Sequence, residues 1–503
     1  MPSVDQPVPD RRRRLLILCI CSMSLLIVGL DSTIVNVALP AIHRSLHSSF
    51  SGLQWTVDSY TLVLASLLMV SGSTADRLGR RRVFQLGLSL FSLGSLLCAL
   101  APSLGFLIGA RVLQAIGGSM LNPVAMSIIR NVFTDPRERA QAIGVWGAVV
   151  GLSMALGPVL GGGLVDSLSW RAVFVVNIPI GIAAIVLTAR FVPESRAERP
   201  RRLDPVGQAL VIVALATVTY AIIEAPAAGW LSAQTLGLGA AGVASMLILV
   251  IHELRHDEPL LEIRFFHSAP FSGASAMALA MFVALGGFLF LNTLYLQEVR
   301  GLSPLDAGLY TLPMAGLMLI FSPVSGLIVS RRGARVPLVV GGAALLASGA
   351  ILAQIGPHTS VAVLFVAYVL FGLGSGMINP PITDTAVAGM PASQAGVAAA
   401  VASTSRQVGQ TLGVAVLGAI AGGAAVGAVR PGFAAATHPS WWIVVALGAV
   451  ILLLGLVTTT PWAHDTAAAT AERFRHPSPT PAAGTAAALT AGAGPPRSAP
   501  WPG

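Results

Sequence analysis

Apolar and polar positions alternate along this chain in long blocks. A helix rises about 1.5 Å per residue, so about 20 apolar residues cross the roughly 30 Å hydrocarbon core of a membrane. Apolar stretches of about this length centre on residues 15–40, 53–72, 83–101, 104–128, 140–165, 171–192, 203–223, 232–252, 270–296, 304–329, 336–355, 359–380, 395–421 and 440–460. The pattern therefore predicts an all-α membrane protein with fourteen transmembrane helices.

Composition agrees with this prediction and disfavours several functions. Of the 503 residues, 54% are hydrophobic and 10% are charged, whereas soluble domains carry roughly 25% charged residues. All 30 basic residues are arginines, so a GxxxxGK[ST] phosphate loop is absent and we do not expect an ATP-driven pump within this chain. Histidines fall in predicted loops or tails, and we expect no catalytic centre, no metal and no cofactor.

The arginines lie in short clusters between the apolar runs and predict the orientation of the chain. Counted from a cytoplasmic amino terminus, the inside segments carry residues 11–14, 77–82, 137–139, 196–202 and 331–335, and the outside segments carry mainly Arg44, Arg300 and Arg430. Such clusters are topology signals, and we expect no nucleic-acid partner. The positive-inside rule places both termini in the cytoplasm, and the arginine-only, alanine-rich composition is typical of a GC-rich bacterium.

Two short sequences recur along the chain and indicate an internal repeat. Residues 72–80 are echoed at 326–334, an offset of 254, and residues 118–123 are echoed at 375–380, an offset of 257. Both offsets map each predicted helix onto the one eight places later, so two six-helix halves flank two inserted helices. The predicted organisation is a cytoplasmic segment 1–14, a first half 15–192, inserted helices 193–253, a second half 254–462 and a disordered cytoplasmic tail 463–503.

Four motifs follow one another in order: LDSTIVNVALP at 30–40, GSTADRLGRRR at 72–82, RVLQAIGG at 111–118 and GPVLGG at 157–162. Together they resemble the fourteen-helix drug:proton antiporter branch of the major facilitator superfamily over about residues 11–462. The resemblance implies export of lipophilic or cationic drugs, antibiotics or toxins across the bacterial cytoplasmic membrane by alternating access. It also implies protons as the energy source, the bilayer as the surroundings and function as a monomer.

Three ionisable residues lie inside predicted helices, where each costs at least about 2.5–3.5 kcal/mol. They are Asp31, Asp58 and Arg111. Our hypothesis is that external protons load Asp31 with help from Asp58 and loosen a pairing with Arg111, and that substrate entering from the cytoplasm competes with the proton. The alternatives are that Asp31 and Arg111 form a purely structural pair and that Asp58 is an interfacial residue.

Two further motifs are candidates for gating. The candidate gating-loop residues are Gly72, Asp76, Arg77, Gly79 and Arg80. The glycines permit tight turns, and Asp76 is placed to cap the next helix or to pair with an arginine across the cytoplasmic gate as a latch. The same arginines also retain the loop inside.

In the fifth predicted helix, glycines let a neighbouring helix approach closely and a proline bends the chain, so that this seam can rock or seal. The motif residues are Gly157, Pro158, Gly161 and Gly162. The alternative is a packing seam without a transport role.

Candidates for the substrate cavity are polar or aromatic residues in the apolar runs: Asn36, Trp55, Tyr60, Gln114, Asn292 and Arg406. Tryptophan and tyrosine near helix ends also serve as interface anchors. Arg406 has no evident carboxylate partner in its half, and no role is assigned to it. The alternative function is a narrow-specificity exporter of an endogenous metabolite or a self-made antibiotic.

Overall fold

A computed structural model describes residues 10–197, 203–256, 259–388, 390, 394–424 and 432–475, and over these residues it contains helices and no strands. The first half consists of α1 (Arg11–Leu46), α2 (Phe50–Leu78), α3 (Arg80–Ala99), α4 (Leu104–Val132), α5 (Pro136–Ser167), α6 (Ala172–Val175) and α7 (Asn177–Phe191). The inserted pair consists of α8 (Pro205–Ala228) and α9 (Ala233–Arg255).

The second half follows a short 3₁₀ helix, Ile263–His267. It consists of α10 (Ala269–Leu294) with a π-helical turn at Tyr295–Val299, α11 (Pro304–Tyr310), α12 (Leu312–Arg332), α13 (Arg335–Leu352), α14 (Val361–Val387), α15 (Ala395–Ala424), α16 (Phe433–Val457) and α17 (Pro461–Arg475).

Helix starts coincide with serine caps in the loops. The side chains of Ser49, Ser103, Ser303 and Ser360 each accept a hydrogen bond from the backbone N–H three residues later. These bonds satisfy amides that have no partner within the helix. The caps explain where the helices begin even though the apolar runs alone leave the boundaries loose.

In the described part of the chain, thirteen helical segments are long and apolar enough to cross a membrane. The 30-residue α15 is outside that set, but it packs against α10, α2 and α8 where the thirteenth predicted span falls. The all-α, multi-pass fold is therefore confirmed.

Equivalent helices pair in the two halves. The pairs α1–α5, α3–α4, α2–α4 and α3–α7 of the first half match α10–α15, α13–α14, α12–α14 and α13–α16 of the second. This matching is what the repeated sequences predict for parallel repeats.

The halves meet most closely at one end of the bundle, which we call the Leu46 end; the opposite one is the Arg11 end. Gln297 Nε2 donates to the carbonyl of Val37 at 2.9 Å, and Leu305 N donates to Asp166 Oδ2 at 2.8 Å. Helices α5 and α12 also approach each other farther along, where an ideal Cβ on Gly151 would lie 3.0 Å from Leu319 Cδ1, whereas one on Gly147 meets nothing within 4 Å. The halves are thus in direct contact at the Leu46 end, which is closed.

The inserted pair lies across the boundary between the halves. Helix α8 packs against α2 of the first half and α15 of the second. Gln208 Nε2 donates to the carbonyl of Ser66 at 2.7 Å, and Pro226 lies beside Gly423. The pair therefore braces the α2–α15 side of the bundle.

Both terminal boundaries differ from the predicted ones. Helix α1 begins at Arg11, because Asp10 caps it, rather than at residue 15. The expected disorder is wrong for residues 463–475, which belong to α17. Alanines at 463, 467 and 471 are buried, and the Phe474 ring lies 5.2 Å from that of Phe265. Residues 1–9 and 476–503 lie outside the described residues.

Candidate functional site: a buried ion pair in the first half

Asp31 of α1 and Arg111 of α4 form an ion pair inside the first half. Arg111 Nη1 donates to Asp31 Oδ2 at 2.5 Å, and the side chains are 0% and 1% exposed. Arg111 Nε also donates to the carbonyl of Thr56 on α2, at 3.1 Å. The predicted pairing of these two residues is present in the structure, and the pair ties α1, α2 and α4 together.

Neutral polar side chains complete the network around Asp31. Gln114 Nε2 donates to Asp31 Oδ1 at 2.8 Å and also lies 2.8 Å from Ser95 Oγ, while Gln114 Oε1 accepts from Arg111 at 2.7 Å. Asn177 Nδ2, on α7, donates to Asp31 Oδ1 at 3.1 Å. Gln114 was predicted as a cavity residue, whereas the sequence analysis missed Asn177 and Ser95. Their signal was a polar residue within an apolar run.

Aromatic rings enclose the guanidinium. The Cζ atom of Arg111 lies 4.1 Å from the centre of the Tyr60 ring and 5.8 Å from that of Phe174, within range of cation–π attraction. Tyr60 is fully buried. Tyr60 therefore belongs to the wall of the ion pair, and the predicted substrate residues Tyr60 and Gln114 lie in the charged network.

Asp58 is buried but is not part of this network. Its Oδ1 lies 3.4 Å from Thr61 Oγ1, and its Oδ2 has no hydrogen-bond partner. Neighbouring positions on the same face of α2 contact α15: Gln54 Nε2 donates to the carbonyl of Val414 at 3.0 Å, and Thr61 bonds Thr411 at 3.0 Å. Asp58 thus faces the second half. Asp58 is 0% exposed, so its side chain is buried among the helices.

The loop between α2 and α3 is locked by short-range contacts. Asp76, in the last turn of α2, accepts from Arg80, the first residue of α3, at 2.9 Å, so this pairing joins consecutive helices and does not cross a gate between the halves. Helix α3 is capped by Gly79 without a side-chain bond. Gly79 has a φ of 110°, and a Cβ there would lie 2.6 Å from Glu194 Oε1. Only glycine fits this position.

The segment after α7 covers the same loop. Arg80 N donates to the carbonyl of Ser195, and Ala197 N donates to that of Asp76. Gly72, on the last turns of α2, makes ordinary contact with Pro123 of α4, at 3.7 Å from an ideal Cβ, and Arg77 is also engaged in the structure. The loop is thus anchored within the first half at the Arg11 end.

The glycine motif of α5 lies at the closed seam. Ideal Cβ atoms on Gly157 and Gly161 would strike Thr33 and Ile34 of α1. One on Gly162 would lie 2.7 Å from Leu305 Cα, and the carbonyl of Pro158 is in contact with Gly308 of α11. The motif therefore sets the distance from α5 to both α1 and the second half.

Asn36 and Asn292 lie on either side of a small central cavity with room for about one water molecule. Thr33, Pro158 and Thr311 also line it. These two predicted cavity residues do meet between the halves.

Arg406 lies elsewhere. Its guanidinium donates to Thr383 Oγ1 of α14, near the Arg11 end, and its Nε is buried without a hydrogen-bond partner. The structure thus separates Arg406 from the Asn36–Asn292 cavity, and its role stays unassigned.

The centre of the second half is aromatic. The Phe288 ring lies 5.5 Å from Tyr368, 4.4 Å from Phe371 and 6.1 Å from Trp441, and all four side chains are fully buried. The Tyr368 hydroxyl donates to Asn292 Oδ1 at 2.6 Å. This cluster holds α10, α14 and α16 together without charge.

Trp55 faces the inserted pair. Its Nε1 donates to Glu224 Oε1 of α8 at 3.0 Å, and its ring lies 5.7 Å from that of Tyr220. The structure thus joins Trp55 to α8 and does not bring it to the Asn36–Asn292 cavity.

Trp55→Phe is expected to lower stability and to leave the range of exported compounds unchanged. The ring is kept, but Glu224 loses its donor, which costs about 1 kcal/mol. Melting of the purified protein and an efflux panel would measure both effects, with Trp442→Phe as the control because Trp442 is 57% exposed. An altered panel without a change in melting would instead place Trp55 in the substrate path.

Each half has six long helical segments when α6 with α7, and α11 with α12, are counted as one segment each and the terminal α17 is left out. These two equivalent halves, the inserted pair and the buried ion pair define a multi-pass membrane transporter built from parallel repeats. The chain belongs to the major facilitator superfamily, whose family model matches residues 21–414. The resemblance seen in the four motifs is thereby confirmed.

Several relatives are named for resistance and export. Multidrug resistance protein Stp of Mycobacterium tuberculosis is 39% identical over 409 residues, covering 81% of this chain and 76% of that protein. The tetracenomycin C resistance and export protein of Streptomyces glaucescens is 38% identical, covering 79% and 74%. The multidrug efflux pump LfrA of Mycolicibacterium smegmatis is 38% identical, covering 80% of each chain.

A solved structure shares the fold. The bacterial homolog to the human lysosomal transporter Spinster, inward-facing and unoccupied, superimposes with a TM-score of 0.62 at 18% identity. The match covers 94% of this chain and 100% of that one.

Proposed function

We propose that this protein exports lipophilic or cationic drug-like molecules across a bacterial cytoplasmic membrane in exchange for protons. The observation that carries the proposal is the fully buried Asp31–Arg111 pair, because ionisable residues within the membrane are costly and mark proton or substrate pathways. The names of Stp and LfrA support the substrate class. No resident cofactor and no catalytic step are part of the proposal.

In this mechanism the proton competes with Arg111 for Asp31. Protonation removes the charge of Asp31, and the attraction that holds α1 to α4 is lost. Helix α1 also contacts Gly157 and Gly161 of α5, so a shift of α1 reaches the seam that closes the Leu46 end. Protonation at Asp31 and opening of the Leu46 end are thereby linked.

The orientation follows from the arginines. Arg11 and Arg14 lie at the end of the bundle opposite the closed Leu46 end, and Arg14 pairs with Glu138 of α5 at 3.1 Å. With this end in the cytoplasm, both termini are cytoplasmic and the Leu46 end faces outward. Substrate then enters from the cytoplasm. A separate part of the proposal is that the protein works as a monomer.

A narrower substrate range is the second candidate. The Streptomyces glaucescens relative is named for one antibiotic, tetracenomycin C, and it is nearly as similar as Stp. Under this alternative, substrate is still exchanged for protons at Asp31. The difference from a multidrug exporter is that the substrate cavity accepts one compound rather than many.

Everted membrane vesicles test the function directly. With an imposed proton gradient and no ATP, we expect ethidium to accumulate in vesicles that contain the protein and to leave again when a protonophore is added. Vesicles without the protein are the control. Uptake that requires ATP would refute proton exchange, whereas no uptake of ethidium or other cations, but uptake of one antibiotic, would favour the narrow exporter.

A further inference from the structure

A group of ionisable side chains lies outside the Asp31 network, at the Arg11 end of the inserted pair. Asp204 caps the start of α8, and His252 and Glu253 lie in the last turn of α9. Asp204 is 4% and Glu253 is 3% exposed. The histidine was expected in a loop or tail, but it lies within α9.

Asp204 is well provided with donors. Its Oδ1 accepts from Gly207 N at 2.8 Å, and His252 Nε2 lies 3.0 Å from Oδ1 and 3.1 Å from Oδ2. Burial alone would raise the pKa of Asp204, but these bonds outweigh it and hold that pKa below its ordinary value. Asp204 is therefore an ionised carboxylate at neutral pH.

Glu253, unlike Asp204, has no side-chain hydrogen-bond donor. Both of its carboxylate oxygens are buried, and the hydrogen-bond donors that act on them are the backbone amides of Leu260 and Leu261 rather than a cationic side chain. An ideal Cβ on Gly207 would lie 2.5 Å from Asp204 Oδ2 and 2.8 Å from Glu253 Oε1, so the two carboxyl groups approach the same point. A second buried negative charge beside the first is unfavourable unless it is neutralised.

Within the part of the chain that the structure describes, no cationic side chain forms an ion pair with Glu253, which leaves a proton as the means of neutralisation. Around Glu253, the charged and titratable groups on α9, on α8 and on the adjacent 3₁₀ segment are His252, Arg255, His256, Asp204, Glu262 and Arg264. His252 is engaged by Asp204 and stacks on His256 at 5.2 Å, and Arg264 pairs with Glu262. Among the described residues, no group of three His, Cys, Asp or Glu side chains could hold a metal ion.

We propose that Glu253 is a second proton-binding site, which holds one proton beside ionised Asp204 and fastens α9 to the start of α8. Backbone amides of Leu260 and Leu261, in the segment that leads to the second half, also lie near Glu253. Loss of this proton places two negative charges side by side and loosens the fastening. Helix α8 packs against α2 of the first half and α15 of the second. Protonation of Glu253 therefore affects how tightly the inserted pair packs against both halves.

The pH dependence of melting, compared between the purified full-length wild type and Glu253→Gln, tests the site, because the histidines are the same in both proteins. In the wild type, Glu253 is forced to ionise as pH rises, so the melting temperature falls. Glu253→Gln keeps the shape and cannot ionise, and this fall is lost. Glu262→Gln is the matched control and keeps the fall, since Glu262 already pairs with Arg264.

Infrared spectroscopy gives an independent readout at neutral pH. The carbonyl band of a protonated carboxyl group is expected to weaken in Glu253→Gln and to persist in His252→Gln, which retains Glu253. An unchanged band in Glu253→Gln, or an unchanged slope of melting against pH, would overturn the proposal. Neither measurement involves transport, so the result is independent of the exchange of drugs for protons.

Discussion

Asp31→Asn is expected to reduce protonophore-sensitive ethidium efflux to the level of cells that lack the protein. Asparagine keeps the shape, but it binds no proton and leaves the Arg111 guanidinium, 1% exposed, without a counter-charge. Breaking one side of a buried pair costs about 3–5 kcal/mol, so the melting temperature should fall as well. Efflux is measured in intact cells with equal amounts of inserted protein.

Two further variants distinguish a loss of proton-coupled efflux from a loss of folding stability. Asp10→Asn changes a carboxylate at the exposed start of the same helix, where asparagine caps equally well, and should leave efflux unchanged. Asp31→Asn combined with Arg111→Met removes both charges and should recover melting without recovering efflux. Recovery of efflux in this double variant would mean that the pair is purely structural.

Gly162→Ala should slow transport about tenfold or more. The added Cβ would lie 2.7 Å from Leu305 Cα and 2.8 Å from the Pro304 carbonyl carbon, and backbone atoms cannot yield as a flexible side chain does. Overpacking costs about 1–3 kcal/mol, and each 1.4 kcal/mol shifts an equilibrium about tenfold. The cost falls on the state in which the Leu46 end is closed, so the open state gains population.

The adjacent glycine supplies the control. An ideal Cβ on Gly163 meets only Leu305 Cδ1, at 4.0 Å, and the change in helix propensity is the same for both substitutions. Gly163→Ala should transport at about the wild-type rate. Equal effects of the two alanines on transport would show that close packing at Gly162 does not control the closed seam.

The sequence predicts best what charge and apolar length determine. Asp31 and Arg111 stand out because charged residues within apolar runs are rare, and their depths could be estimated from the helical rise. The rotation of each helix about its axis cannot be estimated in this way. Asp58 lies two residues from Thr56 and Tyr60, about 200° around α2, and so it faces α15 while they face Arg111.

Contacts between distant segments were equally hard to predict. Trp55 lies near a helix end, where a tryptophan that anchors the helix at the membrane interface and one that lines a substrate cavity look the same in the sequence. The position of α8, which contacts Trp55 through Glu224, could not be predicted from the sequence. Asp204 and His252 are 48 residues apart and meet because α8 and α9 are antiparallel. In α17, the Phe474 ring packs against that of Phe265. This helix has few large apolar residues, so its sequence did not indicate the contact.

The aromatic cluster of the second half stands at the same repeat positions as the ion pair of the first. Phe288, Tyr368 and Phe371 each follow Asp31, Arg111 and Gln114 by 257 residues, the offset that also relates Pro123 to Pro380. One copy of the ancestral half therefore carries a titratable centre, and the other carries an inert counterpart of similar bulk. Under the proposed exchange for protons, this pair of equivalent positions therefore binds at most one proton per cycle, and the second half contributes packing there rather than charge.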